Sequence, residues 1–231
     1  AAVAGAGEDS RQWRRASALV CAMPLEGIER NAVACTAAID ACGKGTQWEH
    51  SLTVLSWMQR AGPAPNVQTY GAAISGCEKG ANAAAALAVL RDAGRRSVRL
   101  NAVSCAAAIS ACEKACWWQE ALRHFLGLCG HGVAADVVAC GAAASSCEKG
   151  LRWGEALALL TRAARRGLQL DTAALNAAAS ACGGARRWEQ AAELAAGARR
   201  SGLAADVVTC GACVSACEKG AQWEPSLRLV T

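Results

Sequence analysis

The sequence predicts an all-α chain: an α-solenoid, a superhelix of stacked antiparallel helix pairs in 35-residue repeats. Three observations predict it. Asn31, Asn66, Asn101, Asp136, Asp171 and Asp206 lie 35 residues apart, without insertion. A cysteine follows each by 11 positions, at Cys42, Cys77, Cys112, Cys147, Cys182 and Cys217. Tryptophan keeps the same phase 17 positions on, at Trp48, Trp118, Trp153, Trp188 and Trp223, with Ala83 as the exception and Trp13 one period earlier. Such self-similarity marks repeat architectures.

Composition agrees. The 231 residues are 53% apolar but only 4% aromatic, which argues against a β-sandwich or barrel. The abundant Ala, Leu, Glu, Gln and Arg are good helix formers, and four prolines leave room for many helices. The organisation is one array: a partial unit 1–31, full units 32–66, 67–101, 102–136, 137–171 and 172–206, and a partial unit 207–231. Both ends fall inside units, so the chain reads as a section of a longer array.

Each unit is read in order as follows. The terminal Asn or Asp precedes the first helix, where either residue is a favoured N-cap. In unit 102–136, Cys105, Ala108, Ile109 and Cys112 then follow the i, i+3, i+4, i+7 spacing of one helix face. Lys114 sits in the last turn, where a cation suits the negative helix end. Elsewhere Gly45, Gly80, Gly150 and Gly220 follow that lysine as a stop signal. A second helix is expected from Trp118 to Gly130, with Glu120 in its first turn and Leu122, Phe125, Leu126 and Cys129 as its apolar face. One hairpin cannot bury both apolar faces, but a stack of about three or more can.

The 14 cysteines need no separate chemistry. Ten are in phase: the six above and Cys35, Cys105, Cys140 and Cys210, four positions after the Asn or Asp, where Tyr70 and Leu175 fill the other slots. Cys21, Cys116, Cys129 and Cys213 remain, and Cys213 alone creates a C-x-x-C with Cys210. Zinc needs about four converging ligands, and His50, His124 and His131 do not cluster with the cysteine pairs, so no metal is expected. Cysteines seven apart on one helix are about 10 Å apart along its axis, too far for a disulfide, whose Cα atoms must lie within about 7 Å. A reducing compartment follows.

The net charge of +5 permits a nucleic-acid partner without demanding one. No long uncharged apolar run indicates a membrane span, and the N-terminus lacks the order of a signal peptide or a clear transit peptide. There is no phosphate-binding Gly-rich loop, no Ser/His/Asp arrangement and no H-E-x-x-H. No enzyme and no cofactor are expected.

The 35-residue period, the paired helices and the stretches "DVVTCGACVSACEKGAQWEPSL", "NVQTYGAAISGCEKG" and "AGPAPN" resemble the pentatricopeptide repeat family. The tetratricopeptide family is the near rival, but its period is about 34 and its W-x-x-L-G-x-x-Y signature is not found. The resemblance covers essentially the whole chain. It implies binding of single-stranded RNA, one nucleotide per unit, in mitochondria or chloroplasts, in transcript stability, processing, editing or translation. It also implies further RNA-processing proteins as partners, no membrane, and a monomer.

In the family the base is read by the fifth and last residues of a unit and sandwiched by the second. Carried over, the reading pairs are Thr36 with Asn66, Gly71 with Asn101, Ala106 with Asp136, Gly141 with Asp171, and Asn176 with Asp206. Asn31 ends the preceding partial unit, and Gly211 is the fifth residue of the following one. The sandwiching residues are Val33, Gln68, Val103, Val138, Ala173 and Val208. Thr36 with Asn66 is similar to the family's adenine-preferring pair, and Asn176 with Asp206 to its uracil-preferring pair. Gly71, Ala106 and Gly141 carry no hydrogen-bonding side chain, which implies partly degenerate specificity. Those positions and the modest charge motivate an alternative: a protein-interaction solenoid that has lost RNA readout. Lys44, Lys79, Lys114, Lys149 and Lys219 form a candidate phosphate ladder, weakened by Glu78, Glu113, Glu148 and Glu218 beside four of them. The tryptophans and the pairs Arg95–Arg96, Arg165–Arg166 and Arg199–Arg200 are assigned to packing and helix ends.

Overall fold

A computed structural model describes residues 14, 15, 18, 31–130, 137–200 and 207–219. Among them are eleven helices in hairpin order and no strand: α1 Ala32–Lys44, α2 Trp48–Ala61, α3 Val67–Lys79, α4 Ala83–Arg95, α5 Ala102–Lys114, α6 Trp118–Gly130, α7 Val137–Lys149, α8 Trp153–Arg165, α9 Thr172–Gly184, α10 Trp188–Arg200 and α11 Val207–Lys219. Odd-numbered helices are the first of their units. The helix starts repeat at 35 residues throughout, so the hairpin unit expected from the sequence is present.

The chain forms two compact bodies, residues 1–115 and 116–231. In the first, α1 packs on α3 and α3 on α5, while α2 and α4 each pack against the first helix of their own unit and of the next. In the second, α7, α9 and α11 stack in the same way, and α8 and α10 play the part of α2 and α4. Within each body a first helix is therefore covered by the unit that follows it, α1 by α3, α3 by α5, α7 by α9 and α9 by α11, which is why the repeat stabilises a stack rather than a lone hairpin.

The core falls on the fourth, seventh, eighth and eleventh residues of the five full units, whereas in α11 Cys213 and Cys217 are buried and Cys210 and Val214 half-buried. Cys35, Ala38, Ile39 and Cys42 are buried in α1, Tyr70, Ala73, Ile74 and Cys77 in α3, and Cys105, Ala108, Ile109 and Cys112 in α5. The same four positions are buried in α7 and α9. In-phase cysteines are thus small core residues, and no disulfide joins the described cysteines. Burial pushes the thiols of Cys77, Cys147 and Cys182 up to about 11.

Tyr70 departs from the cysteine pattern and organises its own network. Its hydroxyl donates to Asp92 Oδ2 at 2.7 Å. Gln59 Nε2 donates to the same oxygen at 2.6 Å, and Arg96 Nε lies 3.2 Å from it. Small residues let the stack close: a Cβ on Gly43 would come within 2.9 Å of Gly76 Cα, so α1 and α3 touch backbone to backbone.

The stop signal differs from its sequence reading. Gly45 and Gly80 have φ of −78°, so neither is the left-handed residue. That conformation belongs to the next position in each of the five full units: Thr46, Ala81, Cys116, Leu151 and Arg186, with φ between 52° and 59°. Thr46 N–H reaches Gly43 O and Gln47 N–H reaches Cys42 O, which satisfies the last carbonyls of α1. Gly80 and Gly150 have another reason. A Cβ there would lie 2.3 Å from Trp48 Cδ1 and 2.6 Å from Trp118 Cδ1 respectively. Trp48 and Trp118, which open α2 and α6, pack on the turn of the next unit, and Gly220 lies outside the described residues.

Candidate nucleic-acid interface

The last residue of each unit is held by the helix that follows. Asn31, Asn66, Asn101 and Asp171 have extended backbone and cap α1, α3, α5 and α9. Their Oδ1 atoms accept the N–H of Ala34 at 2.7 Å and of Thr69, Ser104 and Ala174 at 2.9 Å. Asp136 and Asp206 lie outside the described residues. Capping leaves chemistry over. An asparagine whose oxygen is engaged offers its NH2, a donor, whereas Asp171 offers a second carboxylate oxygen, an acceptor.

The second residue stands in the first turn of the same helix. Val33, Val103, Val138 and Val208 are 76%, 69%, 62% and 61% exposed, and Gln68 and Ala173 are exposed too. Burying a valine stabilises by about 1.5–3 kcal/mol. Leaving four in water at one repeat position forgoes that gain and marks a contact surface.

The fifth residues are placed less uniformly. Thr36 and Asn176 are half-buried, Gly71 is half-buried and Gly211 exposed, whereas Ala106, at 5% exposure, and Gly141 are buried. Among the described pairs, a fifth and a last residue approach directly only at Gly141 and Asp171. A Cβ on Gly141 would lie 3.9 Å from Asp171 Oδ2. Thr36 reaches Asn66 through one intermediary, the hydroxyl of Thr69, 2.8 Å from Thr36 Oγ1 and 3.0 Å from Asn66 Oδ1.

That intermediary was missed by sequence reasoning. Thr69, Ser104 and Thr209 are the third residues of their units, and all three are buried. Ser104 Oγ donates to Asn101 Oδ1 at 2.7 Å and sits 2.8 Å from where a Cβ on Gly71 would be. Thr209 Oγ1 donates to Asn176 Oδ1. A signal existed: the third position is hydroxyl-bearing in these units and alanine at Ala34, Ala139 and Ala174.

In the second body the first helices leave a cleft of about 370 Å³, lined by Ala173, Asn176, Ala177, Val208 and Ala212, with Ser145, Glu148 and Ser180 at its sides. It brings together a fifth residue and the second residues of two successive units. The other sequence candidates lie elsewhere or are engaged. Lys44 pairs with Asp40 at 2.8 Å and Lys114 with Glu78 at 3.0 Å, while Lys79 and Lys149 are exposed. Trp118 lies under Arg152 at 4.3 Å and Trp153 under Arg187 at 5.1 Å, as packing groups at hairpin turns. Cys213 is buried and donates to Ala191 O at 3.3 Å, away from any metal geometry. Among the described residues no cluster of His, Cys, Asp or Glu is arranged to hold a metal ion, and no helix is long and apolar enough to cross a membrane.

Helical hairpins whose first helices open on the capping residues Asn31, Asn66, Asn101 and Asp171 and expose Val33, Val103, Val138 and Val208 define a helical-repeat protein. Residues 18–79 match the pentatricopeptide repeat domain, and the remaining units continue in phase with that segment. Beyond that segment, the fold is that of solved pentatricopeptide repeat structures. The crystal structure of the pentatricopeptide repeat protein PPR10 from maize is similar over 94% of this chain, at 22% identity and a TM-score of 0.66. PPR10 in complex with an 18-nt psaJ RNA element is similar over 96% of this chain, at 16% identity and a TM-score of 0.58. This chain spans 31% and 38% of those two chains, about a third of their length. No curated protein matches it.

Proposed function

We propose that the chain is a modular single-stranded RNA-binding repeat protein that takes one nucleotide per unit and acts in organellar RNA metabolism, in transcript stability, processing, editing or translation. The observation that carries the reading is the row of exposed second-position valines beside capped last residues. An apolar side chain on each flank of a base provides a sandwich, and the polar pair provides edge recognition. The cleft between Ala173 and Val208 has this form, with Asn176 in its wall. The RNA element bound by PPR10, a protein of the same fold, is in keeping with it.

Hydrogen-bond polarity supports particular bases. Thr36 Oγ1 lies 2.7 Å from Ala32 O and 2.8 Å from Thr69 Oγ1, so its single proton is engaged internally and it offers a lone pair. Asn66 offers an NH2. An acceptor beside a donor complements an exocyclic amino group beside a ring nitrogen, the edge of adenine or cytosine. Adenine is the choice that the family resemblance favours. Ala106 and Gly141 offer neither group, so units 102–136 and 137–171 lean on Asp136 and Asp171 alone.

Titration of a fluorescent random single-stranded RNA pool tests the reading. Binding is expected at low salt, with affinity falling as salt rises by a log–log slope of about 0.7 per phosphate contacted. Absence of binding at low salt would favour the protein-interaction alternative.

A further inference from the structure

We propose that the third residue of each unit sets the hydrogen-bond polarity of the fifth residue one unit earlier, so that a reading site is a triad and not a pair. This rests on the reading of the chain as an RNA binder. Thr209 donates to Asn176 Oδ1 and thereby makes the amide nitrogen, a donor, the end turned away from it. Thr69 bridges Thr36 and Asn66, and its hydroxyl also accepts Asn66 N–H at 3.3 Å. Where the fifth position is Gly71, the hydroxyl of Ser104 occupies the place of the missing side chain and donates to Asn101.

Two features separate this from mere packing. The hydroxyls are buried, although alanine fills the same helix position at Ala34, Ala139 and Ala174. A buried hydroxyl stabilises little net and costs about 1–3 kcal/mol if left unmade, so packing alone favours alanine. The hydroxyls also track the fifth residue. Thr36 is followed by Thr69 and Asn176 by Thr209, while Ala106 is followed by Ala139 and Gly141 by Ala174. The third residue is polar where the fifth is polar, and apolar in two of the three units where the fifth has nothing to orient.

The side chain acts through Asn176 and not on the base, so Thr209 is a positioning residue. The test is selection from a randomised single-stranded RNA pool with wild type, Thr209→Val and Thr209→Ser, followed by titration of RNAs carrying each of the four bases at the position that Thr209→Val alters. Thr209→Val, the same size but unable to hydrogen-bond, is expected to lower discrimination at one nucleotide by about tenfold, with other positions unchanged. Thr209→Ser is expected to restore it. Wild-type discrimination in Thr209→Val would overturn the proposal while leaving RNA binding intact. Should Thr209→Val lose its helical circular dichroism, a gain-of-function pair decides. A Cβ on Gly141 meets nothing nearer than Asp171 at 3.9 Å, so Gly141→Asn starts without a clash there, and adding Ala174→Thr should sharpen its base preference. Equal preference with and without Ala174→Thr would overturn the proposal. No RNA binding by wild type would overturn both the function and this extension.

Discussion

At the scale of single residues, the chain tolerates a cost at the same place in each unit. Thr46, Ala81, Cys116, Leu151 and Arg186 all hold a left-handed backbone that disfavours side chains by about 1–2 kcal/mol. Glycine relieves the clash but loses more freedom on folding. Ala81→Gly is therefore expected to stabilise the protein by about 1 kcal/mol, read as a higher urea midpoint with unchanged slope; an unchanged midpoint would mean that the turn carries no strain. This position was not legible in the sequence, because Thr, Ala, Cys, Leu and Arg share no chemistry and the preceding glycine drew the attention. The third-position hydroxyls were hidden for a related reason. Thr69, Ser104 and Thr209 look like ordinary helix-start residues until the preceding unit is laid against them. By contrast, the capping role of Asn31, Asn66, Asn101 and Asp171 was plain, since their type and position are those of an N-cap.

At the scale of elements, the first helices bury a stripe of thiols that must stay neutral. Cys77, Cys147 and Cys182 titrate near 11 in the folded chain, because burial disfavours the thiolate. In the unfolded chain they titrate near 8.5. The stabilisation is complete below the unfolded value and lost as pH rises towards the folded one, since the unfolded chain gives up its protons first. Melting temperature should fall between about pH 9 and 11, by up to about 1.4 kcal/mol of stability per pH unit for each thiol. Cys77→Ala should flatten that slope; a melting temperature constant over the window would contradict it. The face carrying these cysteines was readable from i, i+3, i+4, i+7 spacing. The tryptophans were readable only as packing residues, because what they pack on, the turns at Gly80 and Gly150, belongs to the following unit.

At the scale of the molecule, the proposed function has units of constant phase read an RNA in steps. Thr36 and Asn176, in units 32–66 and 172–206, are the polar fifth residues of the five full units. Between them stand three units with Gly71, Ala106 and Gly141, which leave discrimination to the last residue alone or, beside Gly71, to Ser104 with Asn101. Repetition made the architecture legible from one end of the sequence to the other. Apart from the family resemblance, the exposure of the face was not legible, because a valine at the second position reads equally well as core until α1, α5, α7 and α11 are seen to turn it outward.

The most direct measurement is deep sequencing of RNAs selected by this chain from a pool randomised over about a dozen nucleotides. One nucleotide per unit predicts two strongly enriched positions four nucleotides apart, one an adenine and the other a uracil, with weak preferences at the three positions between. Enrichment at any other spacing, or none among RNAs that do bind, would contradict it.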